Sequence, residues 1–168
     1  MLKKLKPDIY VDDIYAIDYE ALKHEGITGI IFDIDNTLIP YEESMPNDKI
    51  QELFDKLKEM EFVISFISNG PKKRVDKFNT RLNFYTRHRA CKPLSVNLRK
   101  FIEEVNLEKN QVAIIGDQIF TDVIAGKCAG IKTILVRPIK PRNSIIEKIK
   151  RRLESKLLQK FNEMEMKR

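Results

Sequence analysis

The sequence predicts an α/β fold in which helices cover both faces of a parallel sheet. Compact apolar segments rich in β-branched residues are typical of buried parallel strands, and four of them occur at 27–34, 61–68, 111–117 and 132–138. Segments with helical spacing of apolar residues lie between these strands, and such alternation indicates a parallel sheet. A chain of 168 residues is long enough for one domain with its own core.

The elements follow one another in a simple order. Up to about Gly26 the pattern is irregular, apart from one short helical segment for which Asp18 is the candidate cap and Gly26 the candidate end. The polar segment 84–90 is predicted as a short fifth strand. Further helices are predicted at 46–60, where Asn47 or Asp48 provides the cap, and at 71–82, 93–106 and 121–130.

The composition excludes several classes of protein. A hydrophobic fraction of 42% and a charged fraction of 33% are typical of a soluble globular protein and not of a disordered one. No segment approaches the ~18 consecutive apolar residues of a membrane-spanning helix, and the basic start of the chain lacks the apolar core of a signal peptide. Cys91 and Cys128 form neither a disulfide framework nor a zinc site, which fits a reducing cytoplasm.

The net charge of +6 is concentrated near the C-terminus. Residues 137–168 contain 11 Lys/Arg against 4 Asp/Glu, a balance of +7, whereas the preceding 136 residues contain 20 against 21, a balance of −1. An anionic partner is therefore expected at the tail. We divide the chain into a domain at 1–138 and a basic amphipathic helix at 139–168.

The tail combines an apolar stripe with basic side chains. Its apolar residues recur at spacings of three and four, and they are Ile146, Ile149, Leu153, Leu157, Phe161 and Met164. Much of the remaining surface is basic, with Lys148, Lys150, Arg151, Arg152, Lys156 and Lys160. Two interpretations remain open. The stripe packs on its own domain or on a second subunit in a homo-oligomer, which we favour, or it lies in an anionic membrane surface and holds the protein peripherally at a membrane.

Two acids follow the first apolar strand, in the segment Asp33-Ile34-Asp35-Asn36-Thr37. Residues two apart on an extended chain share a face, so Asp33 and Asp35 can address one small volume. Carboxylates this close repel each other unless a cation lies between them or one is protonated. That cost indicates function, although Asp and Asn are also common in plain turns.

Three further polar clusters fall at the same edge of the sheet, where ligands bind in such folds. Ser68-Asn69-Gly70 follows the second strand and offers a hydroxyl and backbone N–H groups for a phosphate, or forms a plain turn. Lys92 precedes a helix and is by itself one basic residue among 31. The segment from Gly116 to Asp122 brings the acids Asp117 and Asp122, for which a helix cap is the plain alternative.

Together the four clusters resemble the motifs of the haloacid dehalogenase (HAD) superfamily. The order is DxDxT, an apolar strand that ends in Ser/Thr, a Lys, and GDxxxxD, and the resemblance covers roughly residues 27–138. It implies a Rossmann-like three-layer sandwich with five parallel strands. It also implies a phosphatase that depends on Mg²⁺ and acts on a phosphorylated substrate.

The resemblance assigns a role to each site residue. Asp33 would be the nucleophile that carries the phosphoryl group, and Asp35 would protonate the leaving oxygen and later deprotonate water. Mg²⁺ would be held by the Asp33 carboxylate, the Asp35 backbone carbonyl and Asp117, an all-oxygen set. Asp122 would orient Lys92 or a metal-bound water. The phosphoryl group would be bound by Lys92 together with the substrate-binding residues Thr37, Ser68, Asn69 and Gly70.

The intervals between the motifs are short. Asp33 and Ser68 lie 35 positions apart, and Ser68 and Lys92 lie 24 apart. Members of the superfamily that act on small metabolites often insert a cap domain into one of these intervals, so this chain is expected to have no cap. An open site suits a bulky substrate such as a phosphoprotein, a phospholipid head group or a nucleic-acid end.

Within the superfamily the chain is most similar to the capless IIIA group, namely the YqeG-like bacterial proteins and the related mitochondrial phosphatidylglycerophosphatases. The resemblance is carried by I-D-Y-E-A-L, by C-K-P-L around Lys92 and by G-D-Q-I-F-T-D-V-I-A-G-K-C-A-G. It makes phosphatidylglycerophosphate a candidate substrate. The mitochondrial enzymes typically have Lys where this chain has Ile34, so the lipid does not follow from the resemblance alone.

A different class of function stays open at this level. The domain could serve mainly as a binding or scaffold module whose basic tail grips RNA, a membrane or a protein, with vestigial phosphatase chemistry. Phe161 is the only aromatic residue of the tail, which argues against nucleic acid as the partner. The full set of catalytic side chains argues against vestigial chemistry.

Overall fold

All five predicted strand segments form strands in the computed structural model, which describes residues 5–140 and 144–166. The strands are β1 (Ile9–Val11), β2 (Gly29–Phe32), β3 (Val63–Ile67), β4 (Tyr85–Arg87), β5 (Val112–Gly116) and β6 (Lys132–Val136). They lie in the order β1-β6-β5-β2-β3-β4, and every neighbouring pair is parallel. The predicted α/β class is confirmed, but the sheet has six strands where five were predicted.

The additional strand β1 lies in the segment whose pattern is irregular. It is three residues long and none of its side chains is fully buried, so it lacks the apolar run that identifies β2, β3, β5 and β6. Asp8 joins it to the neighbouring strand β6. The Asp8 N–H donates to the Thr133 carbonyl at 2.9 Å, and the Asp8 carboxylate accepts from the Thr133 N–H and from its hydroxyl, both at 2.8 Å.

Both faces of the sheet are buried, because alternate residues of the central strands enter different hydrophobic clusters. Ile30 and Phe32 of β2 enter one cluster, and Ile31 enters the other. The first cluster contains edge-to-face aromatic pairs, with ring centroids of Phe54 and Phe66 5.3 Å apart. Helices therefore cover both faces, which gives the three-layer arrangement that was predicted.

The helices are α1 (Tyr19–His24), α2 (Asp48–Glu59), α3 (Lys72–Asn79), α4 (Val96–Glu104), α5 (Ile124–Ala129) and α6 (Ile145–Met166). Two of the predicted caps are present: Asp18 accepts from the Ala21 N–H at 2.9 Å, and Asn47 accepts from the Ile50 N–H at 3.0 Å. The helical region after β5 starts with a π-helical turn at Ile119–Val123, and Gly130 ends it with a φ of 80°.

The C-terminal helix α6 packs against this region after β5. A small cluster of Ile119, Val123 and Leu135 meets Leu157 and Leu158 of α6, and Phe161 is also buried. Within the described residues, no helix is both long enough and apolar enough to cross a bilayer. Part of the linker before α6, residues 141–143, falls outside the described residues.

We expect Asp8→Ala to lower the free energy of unfolding by about 1–3 kcal/mol, because it leaves the buried N–H and hydroxyl of Thr133 without their acceptor. Urea titration measures the change. Asp12→Ala is the matched control, since the Asp12–Arg137 ion pair is exposed and contributes about 0–1 kcal/mol. Equal effects of the two substitutions would contradict the role of Asp8.

Candidate active site

A cavity of about 290 Å³ lies at the carboxyl ends of β2, β3 and β5, where the sequence places its polar clusters. Seven of the predicted site residues line it: Asp33, Asp35, Ser68, Asn69, Gly70, Lys92 and Asp122. Thr37 and Asp117 adjoin the cavity, since the Thr37 hydroxyl lies 3.4 Å from Asp33 Oδ2 and 3.3 Å from Asp117 Oδ1. The fold therefore brings all nine residues to one place.

Lys92 lies at the centre of the cluster. Its Nζ is 2.6 Å from Asp33 Oδ1 and 2.7 Å from Asp122 Oδ1, and its side chain is buried. Burial alone would lower the pKa of Lys92, but Asp122 and Asp33 raise it above its ordinary value. Lys92 is therefore a fixed positive charge at neutral pH.

Asn69 fixes the backbone of Lys92. The Asn69 amide donates to the Lys92 carbonyl at 3.0 Å, and the Lys92 N–H donates to Asn69 Oδ1 at 2.8 Å. The amide of Asn69 is thus paired with protein backbone, although the residue also lines the cavity. This pairing holds the segment after β4 against the segment after β3.

Ser68 and Gly70 form the turn after β3. The Gly70 N–H donates to Ser68 Oγ at 3.0 Å. A Cβ at Gly70 would lie 3.2 Å from Ser68 Oγ and 3.3 Å from Asp35 Oδ2, tighter than ordinary contact. The absence of a side chain at Gly70 therefore lets this turn approach Asp35 closely.

Asp35 is paired with Arg74 of α3, a contact that the sequence analysis missed. Arg74 Nε donates to Asp35 Oδ1, and the same guanidinium donates to the Glu43 carbonyl at 2.7 Å and to the Pro40 carbonyl at 3.3 Å. The Cζ atom of Arg74 lies 4.8 Å from the ring centroid of Tyr41. Arg74 thus joins the loop after β2 to α3 and to the second acid of the site.

Three buried carboxylates could hold a metal ion. One oxygen each of Asp33, Asp117 and Asp122 lies within 4.8 Å of the others. Burial raises the pKa of Asp33 to about 6 against the effect of Lys92, and raises the pKa of Asp117 to about 8 against the effect of Arg151. A bound cation would replace protons in this crowded set. An all-oxygen donor set of carboxylates fits a hard divalent ion such as Mg²⁺.

Arg151 of α6 reaches this acidic cluster, and sequence analysis treated it only as one of the basic residues of the tail. Its guanidinium donates to Asp117 Oδ2 and to the Asp117 backbone carbonyl. Glu147 and Glu154 each lie 3.2 Å from the same guanidinium. A surface charge on an isolated helix would give the same sequence signal, so only the tertiary structure distinguishes Arg151 from its neighbours.

Glu154 is the second residue of α6 whose contact with the region after β5 the sequence did not reveal. It is buried, and its Oε1 accepts from the N–H groups of Ile119 at 2.7 Å and Phe120 at 3.3 Å. These N–H groups belong to the first turn of the helical region after β5, where a carboxylate is favourable. By contrast, the sequence did single out Gly116 as a tight turn. The structure requires glycine there, because a Cβ would come within 2.3 Å of the Asp122 side chain.

Solved structures share this fold. The cobalt-bound form of deoxy-D-mannose-octulosonate 8-phosphate phosphatase (YrbI) from Haemophilus influenzae matches with a TM-score of 0.52 at 13% identity, over 82% of this chain and 90% of that one. An uncharacterized protein from Listeria monocytogenes serotype 4b matches with a TM-score of 0.56 at 14% identity, over 70% of this chain and 85% of that one. At this level of identity the likeness shows the fold alone.

The chain belongs to the family described as Mitochondrial PGP phosphatase, whose model matches residues 2–140. It is 33% identical over 159 residues to Probable phosphatase YqeG of Bacillus subtilis (strain 168), covering 94% of this chain and 92% of that protein. It is 26% identical over 167 residues to Phosphatidylglycerophosphate phosphatase 1, chloroplastic/mitochondrial, of Arabidopsis thaliana, covering 92% of this chain and 47% of that protein. With the fold and the site, these relatives define a phosphatase of the HAD superfamily. The resemblance noted from the motifs is therefore confirmed, and the binding-module alternative is not favoured.

We expect Arg151→Met to lower the free energy of unfolding by about 1–3 kcal/mol at pH 9, because the buried Asp117 carboxylate loses both its cation and a hydrogen-bond donor. The loss should shrink as the pH falls, since protonation of Asp117 then removes the uncompensated charge. Adding Asp117→Asn should recover part of the loss in a double-mutant cycle followed by urea titration.

Arg152→Met is the matched control for this cycle, because Arg152 is the exposed neighbour of Arg151 on the same helix. It should change stability by less than about 0.5 kcal/mol. If Arg151→Met and Arg152→Met were equally stable at pH 9 and at lower pH, the contact with Asp117 would contribute nothing to the fold.

Proposed function

We propose that the protein hydrolyses a phosphomonoester through a phosphoryl group carried on Asp33, with Mg²⁺ as cofactor. The observation that supports this most directly is the contact of the Asp33 carboxylate with Lys92 at 2.6 Å on the wall of the cavity. Lys92 counters the effect of burial on Asp33 and so helps to keep the carboxylate ionised. An ionised carboxylate beside a fixed positive charge suits attack on an anionic phosphoryl group.

In the first half of the reaction, an oxygen of Asp33 would form a bond to phosphorus while the bond from phosphorus to the ester oxygen breaks. Asp35 would give its proton to that leaving oxygen, and the alcohol would depart. Asp35 Oδ1 is engaged by Arg74, whereas Oδ2 lies on the side of Gly70 and Ser68. We therefore assign the transferred proton to Oδ2.

In the second half, water would attack the phosphorus of the aspartyl phosphate. Asp35 would accept the proton of that water, and the bond to Asp33 would break to release inorganic phosphate and the free carboxylate. Asp35 thus ends the cycle in the protonation state in which it began. Arg74 would hold Asp35 in place through both steps, because it is bound to two carbonyls of the loop after β2.

The other site residues would bind the phosphoryl group. Lys92 and the hydroxyl of Ser68 line the same cavity as Asp33 and would offset the charge on the phosphoryl oxygens. Gly70 and Asn69 would shape the turn and hold Lys92, and Thr37 would hold the carboxylates of Asp33 and Asp117 in place. Preorganised contacts of this kind act without further rearrangement during the reaction.

Asp33, Asp117 and the backbone carbonyl of Asp35 would hold the Mg²⁺ ion, with Asp122 orienting Lys92. When bound, Mg²⁺ supplies a positive charge that offsets the negative charge of the phosphoryl group. The donor chemistry of the three carboxylates fits this ion. The contact of Asp122 with Lys92 at 2.7 Å supports an indirect role for Asp122.

For the substrate, we propose a phospholipid with a phosphomonoester head group, with phosphatidylglycerophosphate as the first candidate. The Arabidopsis relative is named for this lipid, and the matching family is named for PGP. The interval from Asp33 to Ser68 holds one loop, α2 and β3, and the interval from Ser68 to Lys92 holds α3 and β4. The cavity at the ends of the strands is thus left accessible to a head group whose acyl chains stay outside.

We expect Asp33→Asn to lower the rate of phosphate release at least about a thousandfold, with both an aryl phosphate and phosphatidylglycerophosphate, because the amide is a poor nucleophile. A colorimetric phosphate assay measures the rate, and circular dichroism checks that the fold is kept. Asp48→Asn, on the exposed start of α2, is the matched control. A rate within about tenfold of the unmodified protein, or ~1.4 kcal/mol in barrier height, would exclude Asp33 as the nucleophile.

Activity should disappear with a chelator, return with Mg²⁺ and be inhibited by Ca²⁺, whose larger coordination shell displaces the nucleophile. Asp117→Ala should raise the Mg²⁺ concentration needed for half-maximal activity by more than about tenfold. Replacing a residue that only orients a metal ligand already weakens metal binding about tenfold, and a direct ligand should contribute more. It should also reduce the increase in melting temperature that Mg²⁺ causes. An unchanged rate in excess chelator would disprove the metal assignment.

A further inference from the structure

Helix α6 exposes a set of apolar side chains that belong to none of the hydrophobic clusters of the described chain. Four residues of the apolar stripe are exposed, namely Ile146, Ile149, Leu153 and Met164, with exposed fractions of 73%, 57%, 48% and 53%. Spacings of three and four place the first three on one side of the helix. Ile145, at the start of the helix, is 76% exposed. Scattered exposed apolar residues are ordinary, but a continuous stripe of them marks an interaction surface.

Basic residues flank this stripe. Lys148, Arg152 and Lys156 are exposed, and spacings of four place them along one border of the stripe. Among the described residues none of the three forms an ion pair, in contrast to Arg151, which is paired with Asp117, Glu147 and Glu154. Their charges are therefore directed at solvent or at an anionic partner.

The orientation of the stripe relative to the active site is set by the other face of α6. Arg151 holds Asp117, Glu154 holds the turn after β5, and Phe161 is buried. Glu147 and Lys150 of the same helix line the active-site cavity. Lys150 lies between the buried face and the stripe on the helix surface. The stripe consequently borders the mouth of the cavity.

We propose that the apolar stripe and its basic border form a docking surface for an anionic phospholipid bilayer, which holds the active-site cavity against the lipid head groups. An apolar stripe with a basic border is the pattern of helices that lie in the interface plane of a bilayer. The proposal rests on the proposed function in one respect only: a head-group substrate gives a reason for a membrane surface beside this cavity.

Two other occupants fit the same surface less well. A second copy of the chain in a two-fold dimer would bring two basic borders together, and like charges in an interface are unfavourable. Single-stranded nucleic acid is bound through aromatic side chains that stack on bases. The only aromatic residue of α6 is Phe161, which is buried. Charge and composition therefore favour a lipid surface.

Flotation of the full chain with vesicles tests the proposal. One set of vesicles contains equal parts of phosphatidylglycerol and phosphatidylcholine, and the other contains phosphatidylcholine alone. We expect the anionic vesicles to bind at least about tenfold more tightly, and this preference to weaken from about 50 to 500 mM NaCl because part of the attraction is Coulombic. Equal binding to both vesicles, or none to either, would overturn the proposal.

Two independent variants locate the surface. Ile149→Ser with Leu153→Ser removes apolar area, and Lys148→Glu with Arg152→Glu and Lys156→Glu reverses the basic border. Each should lower binding to anionic vesicles by at least about tenfold. The charge-matched control is Lys56→Glu with Lys100→Glu and Lys109→Glu, on exposed positions away from α6, and it should retain most of the binding. Hydrolysis of a soluble aryl phosphate should stay within about twofold in all three variants.

Each outcome is decisive. Undiminished vesicle binding by both α6 variants would overturn the proposal. So would light scattering that shows a dimer in the unmodified protein and a monomer after Ile149→Ser with Leu153→Ser, or binding of an RNA oligonucleotide in place of vesicles. The vesicles contain no phosphomonoester, so their binding is independent of hydrolysis. Binding without any phosphatase activity would support the surface and refute the proposed function, and activity without binding would do the reverse.

Discussion

The functional edge of the sheet depends on one buried positive charge, the ammonium group of Lys92. It lies between carboxylates that follow two different strands, 2.6 Å from Asp33 and 2.7 Å from Asp122. Without a cation these carboxylates could not both be ionised in so small a volume. Asn69 holds the Lys92 backbone, so the loops after three neighbouring strands converge on this charge. The ammonium group thus offsets the repulsion between carboxylates that the sheet brings to this edge.

A second, half-buried cation enters the same cluster from α6. Arg151 binds Asp117, the acid that Lys92 does not contact, and Glu154 closes the helical turn that follows it. Helix α6 is therefore both an electrostatic component of the site and the carrier of the exposed stripe. Because one face of α6 is fixed by buried polar contacts, the other face has a defined position relative to the cavity. A single helix thus contacts the acidic cluster and carries the exposed stripe.

Much of this arrangement follows from local sequence, for a physical reason. The central strands are buried on both sides, so they need uninterrupted apolar residues, and a parallel sheet brings the polar residues after each strand to one edge. Strand β1 could not be predicted, because three partly exposed residues carry no such pattern. The pairs Arg74–Asp35 and Arg151–Asp117 were also invisible, since each joins residues more than thirty positions apart. A surface arginine and a buried one have the same local sequence.

The position of Arg151 also bears on the order in which the site is completed during synthesis. Every residue that lines the cavity from the sheet, up to Asp122, leaves the ribosome before α6 does. A nascent chain that already has its sheet would carry the buried Asp117 without its guanidinium partner, and burial favours the protonated form of such a carboxyl group. The charge balance of the site is complete only when residues 147–154 fold onto the turn after β5. Helix α6, which follows the other described elements in the sequence, thus completes the charge balance of this acidic cluster.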